Sequence, residues 1–90
     1  MPKLKFTSNL KQFFKDLETL ELTGNNVQAL IDASEVHYNG LSSYLLDDTG
    51  SLRPHVNIYI GNKMIADRES LSDRVNENDE VYIVQAISGG

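Results

Sequence analysis

The sequence predicts an α+β fold, a small mixed sheet with one main helix packed on one face and a short glycine-ended tail. Three observations carry this expectation. Val56-Asn57-Ile58-Tyr59-Ile60 and Val81-Tyr82-Ile83-Val84 have the β-branched and aromatic composition and the alternation of strands. Val27, Leu30, Ile31, Ser34 and Tyr38 recur at helical spacing, one apolar stripe on an otherwise polar segment. After the last strand, side-chain bulk falls away through Gln85-Ala86-Ile87-Ser88 to Gly89-Gly90 and an α-carboxylate.

Taken in order, Lys3-Leu4-Lys5-Phe6-Thr7 alternates polar and apolar, so Leu4 and Phe6 face inward from a first strand. Ser8 and Asn9 begin a turn-like stretch, and Phe13 and Phe14 are read as loop side chains folded onto the core edge. A second strand is expected over Leu17 to Leu22, with Leu20 and Leu22 inward and Glu21 outward, closing a hairpin on the first. Thr23-Gly24-Asn25-Asn26 breaks the pattern and supplies Asn26 as N-cap of the helix, which Asn39-Gly40 ends. Leu41 to Leu46 forms a helical turn, with Leu41, Leu45 and Tyr44 tucked under the sheet.

Asp47-Asp48-Thr49-Gly50-Ser51 is turn chemistry. In the third strand Val56, Ile58 and Ile60 point in while Asn57 and Tyr59 point out. Gly61-Asn62 makes a tight turn into an edge strand at Met64-Ile65. Leu71 to Val75 reads as one short helical turn, and Asn76-Glu77-Asn78-Asp79 leads into the last strand. There Val81 and Ile83 face inward, leaving Tyr82 and Val84 on the outer face.

Ninety residues make one domain, expected over 1–87 with a tail at 88–90, large enough for a core without metal or disulfide staples. With no cysteine, neither a disulfide framework nor a thiolate metal site is available, and no side chain can hold a persulfide. A formal charge of −5 argues against a grip on nucleic-acid phosphates or anionic membranes and suits a partner with a basic docking surface. No apolar run approaches the roughly 20 residues that span a bilayer, and the N-terminus alternates instead of forming a signal block. A cytoplasmic protein is expected.

Glycine is costly to order and supplies nothing to pack, so Gly89-Gly90 suggests a tail able to thread a channel too narrow for a Cβ. What such a tail delivers is its carboxylate. Against that stands the bland reading of Ser-Gly-Gly as linker material.

Three segments, Glu80 to Gly90, Arg53-Pro54-His55-Val56-Asn57-Ile58-Tyr59-Ile60-Gly61-Asn62, and Tyr38-Asn39-Gly40-Leu41 followed by Leu45-Leu46-Asp47, together resemble the ubiquitin-like sulfur carrier family that includes the molybdopterin-synthase small subunit and the thiamine sulfur carrier. The second and third look most like the branch of the mycobacterial cysteine-biosynthesis sulfur carrier. Proline often precedes the tail in this family, whereas this chain has Gln85-Ala86.

The resemblance implies a β-grasp sheet order and a carrier that is not itself an enzyme and binds no cofactor. A ubiquitin-activating-type adenylyltransferase would use ATP and Mg²⁺ to adenylate the Gly90 carboxylate. Sulfide or a sulfur donor protein would then displace AMP, leaving a thiocarboxylate that an acceptor synthase directs at an electrophile. The product would be cysteine, a related amino acid or a molybdopterin-type cofactor. Gly89 and Gly90 would be the site of activation, and a metalloprotease is a further expected partner where the tail needs processing. Tyr59, Tyr82, Val84, Ile87 and Ser88 are the partner-binding candidates, the first three as an aromatic–aliphatic cluster on the helix-free face.

Other signals carry less. Asp48-Thr49-Gly50-Ser51 matches an aspartic-protease pattern, yet a strong amphipathic helix precedes it where that all-β enzyme needs strands. His37 and His55 have no third histidine or cysteine at metal spacing. Two further classes share the tail or the fold: a protein modifier conjugated to lysines through Gly90, and a non-catalytic β-grasp interaction module.

Overall fold

In the computed structural model, which describes residues 1–7 and 17–85, the alternating segments form five strands among the described residues. These are β1 (Lys3–Phe6), β2 (Leu20–Glu21), β3 (Val56–Ile60), β4 (Lys63–Met64) and β5 (Glu80–Gln85). They lie in the order β2-β1-β5-β3-β4, with β1 and β5 parallel at the centre and the other neighbours antiparallel. Parallel pairing of the first and last strands requires a crossover, and helix α1 (Val27–His37) lies within it. The expected mixed sheet with one main helix is therefore the fold. The positions read at Phe13 and Phe14 lie outside the described residues.

Strand alternation sets the two faces. Leu4, Val56, Ile58, Val81 and Ile83 are at most 1% exposed and form one cluster with Val27, Leu30 and Ile31 of α1. Burying a side chain of this size is worth about 1.5–3 kcal/mol, so this shared face dominates the sheet–helix contact. Gly24 lies where a Cβ would come within 3.0 Å of Ala29 Cβ and Leu30 Cδ2. The chain therefore enters α1 pressed against the helix's own first residues.

The start of α1 shows where local reading fell short. Asn26 Oδ1 accepts from Ala29 N–H at 2.8 Å, the expected cap. The Val27 and Gln28 N–H groups, which have no partner inside the helix, donate instead to the carbonyls of Asp73 and Leu71 at 3.1 and 3.0 Å. Leu71 to Val75 is thus not the helical turn its composition suggests. It runs irregularly beside the helix start, where Asn26 and Arg74 form an isolated bridge. A helical turn would aim those carbonyls along its own axis.

Leu71 is fully buried at a left-handed φ of 56°, a conformation held by the surrounding contacts. Those contacts begin with two aspartates. Asp67 accepts from the N–H groups of Glu69, Ser70 and Ser72, and Asp73 accepts from those of Ala66 and Asp67.

At its other end α1 stops one residue before the expected boundary. Tyr38 is an extended C-cap whose N–H reaches Ser34 O at 2.9 Å, and Gly40, at φ 93°, makes the left-handed step. Helix α2 (Leu41–Leu45) follows, burying Leu41 and Leu45 as expected.

The edge strands are shorter than their composition suggests. Only Leu20 and Glu21 pair with β1, while Leu17 and Leu22 reach the core from outside the strand. On the far edge, the two-residue turn at Gly61-Asn62, with Gly61 at φ 64°, puts Lys63 opposite Ile60 and Met64 opposite Tyr59. The edge strand is therefore Lys63–Met64 rather than Met64-Ile65. Ile65 turns into the core.

Candidate docking face and tail root

Across the face opposite α1, strand pairing aligns Lys5 with Tyr82, Tyr82 with Tyr59, and Tyr59 with Met64. One row thus crosses β1, β5, β3 and β4, with two aromatic rings at its centre. Val84 stands opposite Asn57 in the next row of the same face. Tyr59, Tyr82 and Val84 are partly exposed, and Met64 is 46% exposed. The three expected docking residues are brought together. Lys5 and Met64 were missed, although their registers follow once the sheet order is known.

The charges around this row are paired locally. The Tyr82 hydroxyl donates to Glu80 Oε1 at 2.7 Å, and Lys5 Nζ lies 3.3 Å from the same oxygen and 5.5 Å from the Tyr82 ring centroid. The Tyr82 hydrogen bond, then Lys5, holds the Glu80 carboxyl below its ordinary range. Donation to Glu80, with added desolvation, raises the Tyr82 phenol. This arrangement fixes the Tyr82 ring in place while its hydroxyl is occupied inside the sheet face.

The end of β5 is anchored from below and from the side. Gln85 pairs with Val56 in the last rung, and its Oε1 accepts from the Tyr44 hydroxyl of α2 at 2.9 Å. Arg68 spans the adjoining segment, donating to Asn57 Oδ1 at 2.9 Å and to the carbonyls of Arg53 and Val56 at 2.8 Å. Tyr44, 41 positions from Gln85, has no local sequence signal beyond its place on the short helix. Of the expected activation and contact residues, Ile87, Ser88, Gly89 and Gly90 lie outside the described residues.

Helix α2 is itself held by Glu35. Its carboxylate accepts from Gly40 N–H at 2.7 Å, from Ser42 N–H at 2.9 Å and from the Ser42 hydroxyl at 3.0 Å. Those bonds, the Gly40 amide foremost, keep the Glu35 carboxyl below its ordinary range. Sequence reading placed Glu35 merely off the apolar stripe.

The turn carrying Asp48-Thr49-Gly50-Ser51 is organised by its neighbour. Asp47 Oδ1 accepts from Thr49 N–H, the Thr49 hydroxyl and Ser51 N–H. The Thr49 hydroxyl is the main cause that lowers the Asp47 carboxyl. Asp48 is exposed. Among the described residues no three His, Cys, Asp or Glu side chains group to hold a metal ion, and no helix is long and apolar enough to cross a membrane.

A parallel central strand pair, antiparallel flanks and a helix across one face define a ubiquitin-like β-grasp protein. The ThiS family pattern matches residues 4–90, and the chain belongs to the ThiS family. Sulfur carrier protein CysO of Mycobacterium tuberculosis is 29% identical over 75 residues, 81% of each chain. This agrees with the expected likeness to the mycobacterial branch.

The fold matches the BexX/CysO complex structure of Amycolatopsis orientalis with a TM-score of 0.84, covering 100% of both chains at 20% identity. Small archaeal modifier protein 1 of Methanosarcina acetivorans gives a TM-score of 0.78 at 26% identity, covering 99% of this chain and 95% of that one.

Proposed function

We propose that this chain is a sulfur carrier whose Gly90 carboxylate is adenylated by a ubiquitin-activating-type enzyme using ATP and Mg²⁺. Sulfide displaces AMP, forming the C–S bond of a thiocarboxylate as the acyl–phosphate bond breaks; a donor persulfide in its place forms an acyl disulfide, which a second thiol cleaves to the thiocarboxylate and a disulfide. An acceptor synthase then uses that sulfur in making cysteine, a related amino acid or a molybdopterin-type cofactor. The observation that carries the reading is a ThiS-family chain in which β5 ends at Gln85 and the sequence continues for five residues to Gly89-Gly90.

A carboxylate is a poor electrophile at neutral pH, so activation must come from outside. In this reading the chain's role is to present its end while partners supply the reacting groups. The row Lys5–Tyr82–Tyr59–Met64, with Val84 beside it, is the surface by which the activating enzyme holds the carrier. Its central rings have the size and amphipathic character of interface anchors. Ile87 and Ser88 extend that contact toward the site. The compartment is cytoplasmic, where such an enzyme and its ATP are found together, and the reading requires a free Gly90 carboxylate, which a metalloprotease would expose wherever further residues follow it.

The test is incubation of the chain with ATP, Mg²⁺, sulfide and the activating enzyme, followed by intact mass. Exchange of one oxygen for sulfur, absent in a chain lacking Gly90, supports the reading. Likeness to an archaeal modifier protein at 26% identity favours one second reading, attachment to lysines through Gly90. Isopeptide-linked adducts in cells, without thiocarboxylate, would place the chain there.

A further inference from the structure

The inward positions of β5 run Val81, Ile83, Gln85. The first two are fully buried apolar side chains, and the third is an amide. At that point the core gives way to a hydrogen bond, because Tyr44 packs against the core and its hydroxyl reaches Gln85 Oε1 at 2.9 Å. We propose that Tyr44 is a positioning residue for delivery of the C-terminal carboxylate, its hydroxyl fixing Gln85, five residues before Gly90 in the sequence. The inference rests on the carrier reading above and deepens it.

The physical argument is one of leverage. Five residues separate Gln85 from the carboxylate and can span at most about 18 Å, so any freedom at Gln85 adds to the volume the carboxylate has to search. Holding Gln85 lowers the orientational cost of placing the carboxylate in an active site. Tyr44 is well placed for this because it belongs to a supported chain of contacts. Glu35, in the last turns of α1, holds the start of α2 through Gly40 and Ser42, and α2 carries Tyr44 to Gln85. On the neighbouring strand Arg68 holds Val56, the pairing partner of Gln85.

Docking and delivery then fall to different residues and separate kinetically. The experiment is single-turnover adenylation by the activating enzyme of the same organism, with carrier concentration varied, at a temperature where every variant is folded. Tyr44→Phe keeps the ring and removes the donor. Gln85→Leu removes the acceptor, and Gln85→Glu retains it. The bond's net worth of about 1 kcal/mol corresponds to a roughly three- to tenfold loss of maximal rate in Tyr44→Phe and Gln85→Leu. The double variant should lose no more than either single one. The half-saturating carrier concentration should not move, and Gln85→Glu should keep the wild-type rate.

Unchanged rates in Tyr44→Phe and Gln85→Leu, with only their melting temperatures lowered, would overturn the inference and leave the bond a stabilising contact. A wild-type chain that is not adenylated at all would overturn the carrier reading itself, and that result appears before any variant is compared.

Discussion

Tyr59 and Tyr82 stand directly opposite each other on β3 and β5, on the sheet face that α1 leaves open. Lys5 and Met64 extend the same row to either side, and Glu80 occupies the Tyr82 hydroxyl. Two aromatic rings fixed by pairing lose little freedom when a partner covers them, which is what an interface anchor requires.

Tyr59→Ala should therefore raise the carrier concentration that half-saturates the activating enzyme by roughly tenfold while leaving the maximal rate in place. Tyr82→Ala should do the same. Steady-state pyrophosphate release against carrier concentration reads both quantities. A fall in maximal rate with no change in half-saturation would assign the row to the chemical step instead of docking.

Glu35 joins α1 to α2 through three accepted hydrogen bonds. Glu35→Ala should lower the melting temperature clearly more than Asp32→Ala, since Asp32 is exposed and accepts one side-chain bond from Gln28. Thermal unfolding followed by circular dichroism at neutral pH makes the comparison. Equal shifts would mean that α2 holds its place by burying Leu41 and Leu45 alone.

Asp67 is held at about 2 against an ordinary 3.8, first through the Ser70 amide and then the Ser72 hydroxyl. A folded-state value below the unfolded one means that the unfolded chain binds the proton first as pH falls, so stability declines with acidification. The contribution is complete above about 4 and disappears as the pH approaches about 2. The melting-temperature gap between wild type and Asp67→Asn should accordingly be constant from pH 7 to 5 and close progressively below 4. A gap independent of pH would show that the carboxylate's charge plays no part in shaping this turn.

Most of the fold was legible because local pattern and burial agree. The stripe Val27, Leu30, Ile31, Ser34 is fully buried in the structure, and the strands at Val56 and Val81 alternate as read. Neighbouring positions sufficed to place Tyr59, Tyr82 and Val84 on one face. What stayed hidden depends on distant partners. Leu71 to Val75 looks helical by composition, yet the orphan amides of Val27 and Gln28 draw its carbonyls out of any helix. Glu35 resembles an ordinary surface acid until Gly40 folds back against it. Tyr44 and Gln85 meet only after the sheet has closed, so no window of sequence contains both. The limits of β4 depended on one turn, where two residues at Gly61-Asn62 shifted the pairing by a single position.

The central claim is that Gly90 carries sulfur. Intact mass of the chain after incubation with ATP, Mg²⁺, sulfide and the activating enzyme tests it most directly, with the chain lacking Gly90 as control. The account predicts an oxygen-to-sulfur gain confined to the full-length chain and lost on treatment with an acceptor synthase. An unchanged mass, while the same enzyme thiolates another carrier in parallel, would contradict it.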